Sequence, residues 1–122
     1  MTLTPEKKAL IKEATLTYKH EVEQINRLLD EETDDDRREK LYWLRAIASI
    51  EQGYKIGLFD KEELNDAQLD AMGQEAQKHF HEMYDAELVD DIALLEDDMK
   101  NRFFDDPIGS KNALMAELKI TL

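Results

Sequence analysis

Residues 37–53, RREKLYWLRAIASIEQG, constrain the fold more than any other stretch of the chain. On a helix, Leu41, Leu44 and Ala48 form one line, and Trp43, Ile47, Ile50 and Tyr54 form another. Together they make an apolar stripe too wide for a single neighbour. Arg38, Arg45, Ser49 and Gln52 leave only a narrow polar strip. A helix so poor in polar surface is predicted to be central, with other helices on several sides. Trp43 is expected to anchor that core. Gly53 is expected to end the helix in a left-handed cap.

The flanking sequence predicts further helices. Thr4-Pro5-Glu6 has the cap, the first-turn proline and the acid that open a helix. Ile11, Thr15, Tyr18, Val22, Ile25 and Leu29 then recur in steps of four and three, a packing seam that should end near Asp30. Residues 30–36, DEETDDD, are a connector, in which Thr33 or one of Asp34, Asp35 and Asp36 caps the central helix. Gly57 permits a turn after it, and Ile56, Leu58 and Phe59 should tuck against the bundle. Asp60–Glu63 reads as a capping box for a third helix, with Leu64, Ala67, Met72, Ala76, Phe80 and Met83 inward. Gly73 within it implies a close neighbour or a bend. A break is expected near Tyr84-Asp85. A fourth helix should follow, with Leu88, Ile92, Leu95, Met99 and Phe103 on its inner face. After a turn at Asp105–Gly109, Ser110 is expected to cap a short last helix carrying Leu114, Met115 and Leu118.

The predicted fold is therefore all-α: a compact antiparallel bundle of about four main helices plus a short C-terminal one. With 122 residues, it is read as a single domain, residues 1–122, burying roughly two-thirds of its unfolded surface. Two prolines and four glycines leave few breaks. The absence of cysteine excludes disulfides, zinc fingers and cysteine nucleophiles. MTLTPEKKALIKEA lacks the apolar core of a secretory signal, and no run approaches the length of a membrane span. The expected location is the cytoplasm, that of a host cell if a phage encodes the chain.

Charge is the feature that bears on function. The formal net charge is −13. Residues 30–36 carry six acids and no base, and residues 85–106 carry nine acids against Lys100 and Arg102. Those two regions account for the whole excess. Such a balance argues against direct contact with nucleic acid or an anionic membrane, and favours a partner with a basic surface. On a continuous fourth helix, Glu87, Asp91 and Asp98 would share one line, and Asp90 and Asp97 an adjacent one. Their Cβ spacing, roughly 5–6 Å, is comparable to that of nucleic-acid phosphates. The candidate partner-binding residues are therefore Asp34, Asp35, Asp36, Glu87, Asp90, Asp91, Asp97 and Asp98. Solubility is the competing explanation for the same acids.

The expected function is a small acidic inhibitor that occupies a basic, nucleic-acid-binding surface of another protein, as one carried by a phage or mobile element would. The alternatives are a structural subunit that self-associates, for instance as a homodimer, and a binder of small anionic ligands near Trp43, Arg45 and Tyr54. Glu75, His79 and Glu82 can share a helix face, but the paired Glu-x-x-His pattern of a dimetal bundle is missing. So are a calcium loop, a phosphate loop and a nucleophile elbow. Neither a catalytic residue nor a cofactor is expected.

Overall fold

The computed structural model describes residues 3–57, 65–80 and 95–122. Among them are five helices and no strand: α1 (Pro5–Glu31), α2 (Asp35–Lys55), α3 (Asp66–Phe80), α4 (Asp97–Asp105) and α5 (Pro107–Leu118). The all-α bundle expected from the periodicity is what these helices form.

α1 begins where Thr4 accepts a hydrogen bond from the Lys7 amide at 3.1 Å. All six seam residues, Ile11, Thr15, Tyr18, Val22, Ile25 and Leu29, are buried. Three residues then turn the chain into α2, whose cap is Asp34, accepting from the Arg37 amide at 3.0 Å. The two helices are antiparallel. Lys7 Nζ donates to the Ile56 carbonyl at 2.6 Å, Gln52 Nε2 donates to Thr15 Oγ1 at 2.9 Å, and Arg38 donates to the Leu29 carbonyl at the opposite end.

α2 is central, packing against α1, α4 and α5. Leu44, Ala46, Ile47 and Ile50 have no exposed surface. Burying each of the three large side chains contributes roughly 1.5–3 kcal/mol relative to leaving it in water. Leu95, Phe103, Leu114 and Leu118 complete the main core, and Ile120 and Leu122 pack on its edge. α5 runs antiparallel to α2: Arg37 Nη2 donates to the Leu118 carbonyl at 3.1 Å, and Lys111 Nζ to Glu51 Oε2 at 3.1 Å. α3 packs instead on α1, where Met72 joins Ile11, Ala14 and Ile56 in a second cluster.

Several local expectations are corrected. α2 runs through Gly53 to Lys55, because buried Gly53 sits on the packed face. Gly57, with φ of 78°, supplies the left-handed residue. Trp43 is only half-buried and packs on the flank of the core. Arg45, assigned to the polar strip, is buried and donates to Asn26 Oδ1 at 2.7 Å. α3 starts at Asp66, where Asn65 and Gln68 form the reciprocal box: the Gln68 amide donates to Asn65 Oδ1 at 2.9 Å, and the Asn65 amide to Gln68 Oε1 at 2.8 Å. α3 continues through Gly73, and a Cβ there would meet nothing within 4 Å among the described residues. Ala67 is exposed. α5 opens at Pro107, capped by Asp106, which accepts from the Gly109 amide at 2.9 Å; Ser110 lies inside the helix. The expectations for Leu58, Phe59, Asp60–Glu63, Leu64, Met83, the break at Tyr84-Asp85, Leu88 and Ile92 lie outside the described residues.

Candidate functional site

The junction of α1 and α2 gathers the first acidic cluster, and much of it holds the fold together. Glu32 accepts from Arg37 Nε at 2.5 Å and from the amides of Thr33 and Asp34 at 3.1 and 3.2 Å. The Arg37 bond, followed by the Asp34 amide, holds the Glu32 carboxyl below its ordinary value. Asp34 is the α2 cap. Asp36 pairs with Lys40 at 3.0 Å, and Lys40 also reaches Glu117 on α5 at 2.5 Å. Those bonds, Glu117 first, raise the Lys40 ammonium above its ordinary value. Asp30, Glu31 and Asp35 are different. They are exposed and hold no ion pair among the described residues. Asp35 and Asp36 also favour the positive end of the α2 dipole.

Of the second acidic group, Asp97 and Asp98 are described; Glu87, Asp90 and Asp91 lie outside the described residues. Asp97 and Asp98 are exposed in the first turn of α4. Glu96 before them has φ −69° and ψ 155°, an extended conformation. The helical line drawn from Glu87 and Asp91 to Asp98, and from Asp90 to Asp97, is therefore interrupted at Glu96. A straight phosphate-like row through Asp97 and Asp98 is corrected on that ground: the rise and rotation of a helix do not carry across an extended residue.

Beside α2, a groove of about 350 Å³ opens between α4 and α5. Trp43, Phe103 and Leu114 give it an apolar wall, while Gly109, Ser110 and Ala113 leave the α5 side low. Arg102, Asp106 and Glu117 stand at its polar edges. Of the ligand site expected near Trp43, Arg45 and Tyr54, Trp43 lines this groove. Neither Arg45 nor Tyr54 lines this groove. Arg45 lies 5.1 Å from the Tyr42 ring, and the Tyr54 hydroxyl donates to the Phe104 carbonyl at 2.5 Å.

Comparison with protein-family models, curated proteins and solved structures returns no match. Glu75 receives Lys78 Nζ at 3.0 Å and lies 3.6 Å from His79 Nε2. The Lys78 bond, despite some burial, pulls the Glu75 carboxyl below its ordinary value. Glu82, the third residue of that face, lies outside the described residues. Among the described residues, no three of His, Asp and Glu are arranged to hold a metal ion. No helix of the described residues is long and apolar enough to cross a membrane.

Two features escaped the sequence reading. The groove depends on small residues at Gly109, Ser110 and Ala113 facing a tryptophan 66 to 70 positions away in the chain. Its one legible signal was the helical spacing of those small residues. The three-helix ion cluster of Lys111 with Glu21 and Glu51 had no local signal at all.

Proposed function

We propose that this chain is a small acidic binding protein that occupies a basic, nucleic-acid-binding surface of a partner protein. The observation that carries the reading is the division among its carboxylates. Glu32, Asp34 and Asp36 are engaged by the fold, whereas Asp30, Glu31, Asp35, Asp97 and Asp98 face solvent without an ion pair among the described residues. With a net charge of −13, unpaired exposed acids steer a basic partner in at long range and repel acidic ones. Nucleic acid would compete for such a partner's surface. The role is one of binding and includes no covalent step. An inhibitor from a phage or other mobile element fits this size and charge.

The test is affinity capture from a lysate with the purified chain as bait, under a salt gradient and with duplex DNA as competitor. Recovery of a nucleic-acid-binding protein that salt and DNA both displace is the expected result. Changing Glu31, Asp35, Asp97 and Asp98 together to lysine should abolish that recovery while the circular dichroism spectrum is retained. A captured partner held equally well by the charge-reversed variant would refute the proposal.

A further inference from the structure

The groove beside Trp43 is built differently from the acidic surface, yet it is joined to it. Trp43 is half-buried, and Phe103 and Leu114 are buried behind it. Gly109, Ser110 and Ala113 are too small to fill the space in front of them. Asp106 stands at the start of α5 and Glu117 near its end, about 16 Å apart at 1.5 Å per residue. Asp105, exposed, adjoins the first end. At the other end, Lys40 bridges Glu117 to Asp36, which leads on to the acids that open α2. Arg102 is the cation on the edge, its guanidinium 5.5 Å from the centre of the Phe103 ring.

From this arrangement we infer that the groove receives the apolar face of a basic, amphipathic segment of the partner. The inference takes the sign of the partner's charge from the function proposed above and adds the apolar contact. Protein interfaces concentrate their affinity where an apolar anchor fills a pocket inside a polar rim. A volume of about 350 Å³ lies at the small end of ligand cavities, roughly 300–1,000 Å³. It accommodates one or two large side chains. The distance between the carboxylate ends matches three turns of helix, so basic residues flanking the anchor meet exposed Asp105, beside the α5 cap Asp106, at one end and exposed Glu117, which shares Lys40 with Asp36, at the other.

Trp43 is the sole tryptophan, so its fluorescence reports on the groove directly. The probes are two 11-residue helical peptides with the same lysines, one carrying leucines along a single face and the other serines at those positions. Both should bind, and salt should weaken both. Only the leucine peptide should shift Trp43 emission to the blue, and it should bind about tenfold more tightly, the effect of burying one large apolar side chain. Ala113→Phe and, separately, Ser110→Leu fill the groove. Either variant, once circular dichroism shows it folded, should lose the blue shift and the preference but keep the serine peptide. Equal affinities, or a leucine preference with unchanged Trp43 emission, would overturn the groove and leave the basic-partner reading intact. Binding of neither peptide would overturn both.

Discussion

Lys111 Nζ donates to Glu21 Oε1 at 2.6 Å, tying α5 to α1 across 90 residues of chain. The same ammonium lies 3.1 Å from Glu51 Oε2 on α2. One cation thereby joins three helices at a site where all three side chains are largely shielded from water.

Replacing Lys111 by methionine should leave Glu21 and Glu51 facing each other, with Lys55 3.4 Å from Glu51 as a neighbouring cation. Removing one member of a buried ion pair is costly, whereas exposed pairs contribute little. This intermediate case should cost about 1–3 kcal/mol, read as a lower urea midpoint with an unchanged slope. The double change Lys111→Met with Glu21→Leu should recover part of the loss.

The pH dependence follows from the same contacts. Burial alone would lower the Lys111 pKa, but the bonds to Glu21 and then Glu51 outweigh it, so it stands above its ordinary 10.5. Its contribution is complete below the unfolded value and is lost as pH rises through the raised folded one. Stability should therefore fall at strongly alkaline pH, and less so in Lys111→Met. Glu32 behaves oppositely. Its carboxyl is held below 4.5 by Arg37, so its contribution is present above that value and lost as pH falls through the lowered one. In urea titrations at acid pH, Arg37→Met should flatten that part of the profile.

Core truncations should separate α2 positions one helical turn apart. Ile47 has no exposed surface, so Ile47→Ala should cost about 2–5 kcal/mol. Trp43 borders an open groove, which lets water reach the space left by truncation. Trp43→Ala should cost less than Ile47→Ala, about 1–3 kcal/mol, despite removing more atoms. Thermal melts of the two variants check the order.

Two glycines should respond with opposite signs to alanine. Gly73 is in the middle of α3, where a Cβ meets nothing within 4 Å among the described residues, so Gly73→Ala should stabilise by about 0.5–1 kcal/mol. Gly57 has φ of 78°, a region that side chains with a Cβ avoid, so Gly57→Ala should destabilise by about 1 kcal/mol. Chemical denaturation of both resolves the signs.

The helical periods of this chain determined much on their own. The seam from Ile11 to Leu29, the central place of α2 and the inward residues Leu95, Met99, Phe103, Leu114 and Leu118 follow from the 3.6-residue repeat, because burial of a stripe is a local consequence of its spacing. The concentration of acids was legible for the same reason. Tertiary structure decided the rest. Whether a carboxylate is engaged or free depends on a cation brought from elsewhere: Lys40 reaches Glu117 from 77 positions away, while Glu31, beside Glu32, faces solvent. Helix ends also shifted, from Gly53 to Lys55 and from Ser110 back to Pro107, since several residues in each stretch could cap and packing selected among them. The interruption at Glu96 has the same origin, because the apolar spacing of Leu95, Met99 and Phe103 runs on unbroken across it. The groove beside Trp43 is a space between three helices, and a space has no residues of its own for a sequence to display.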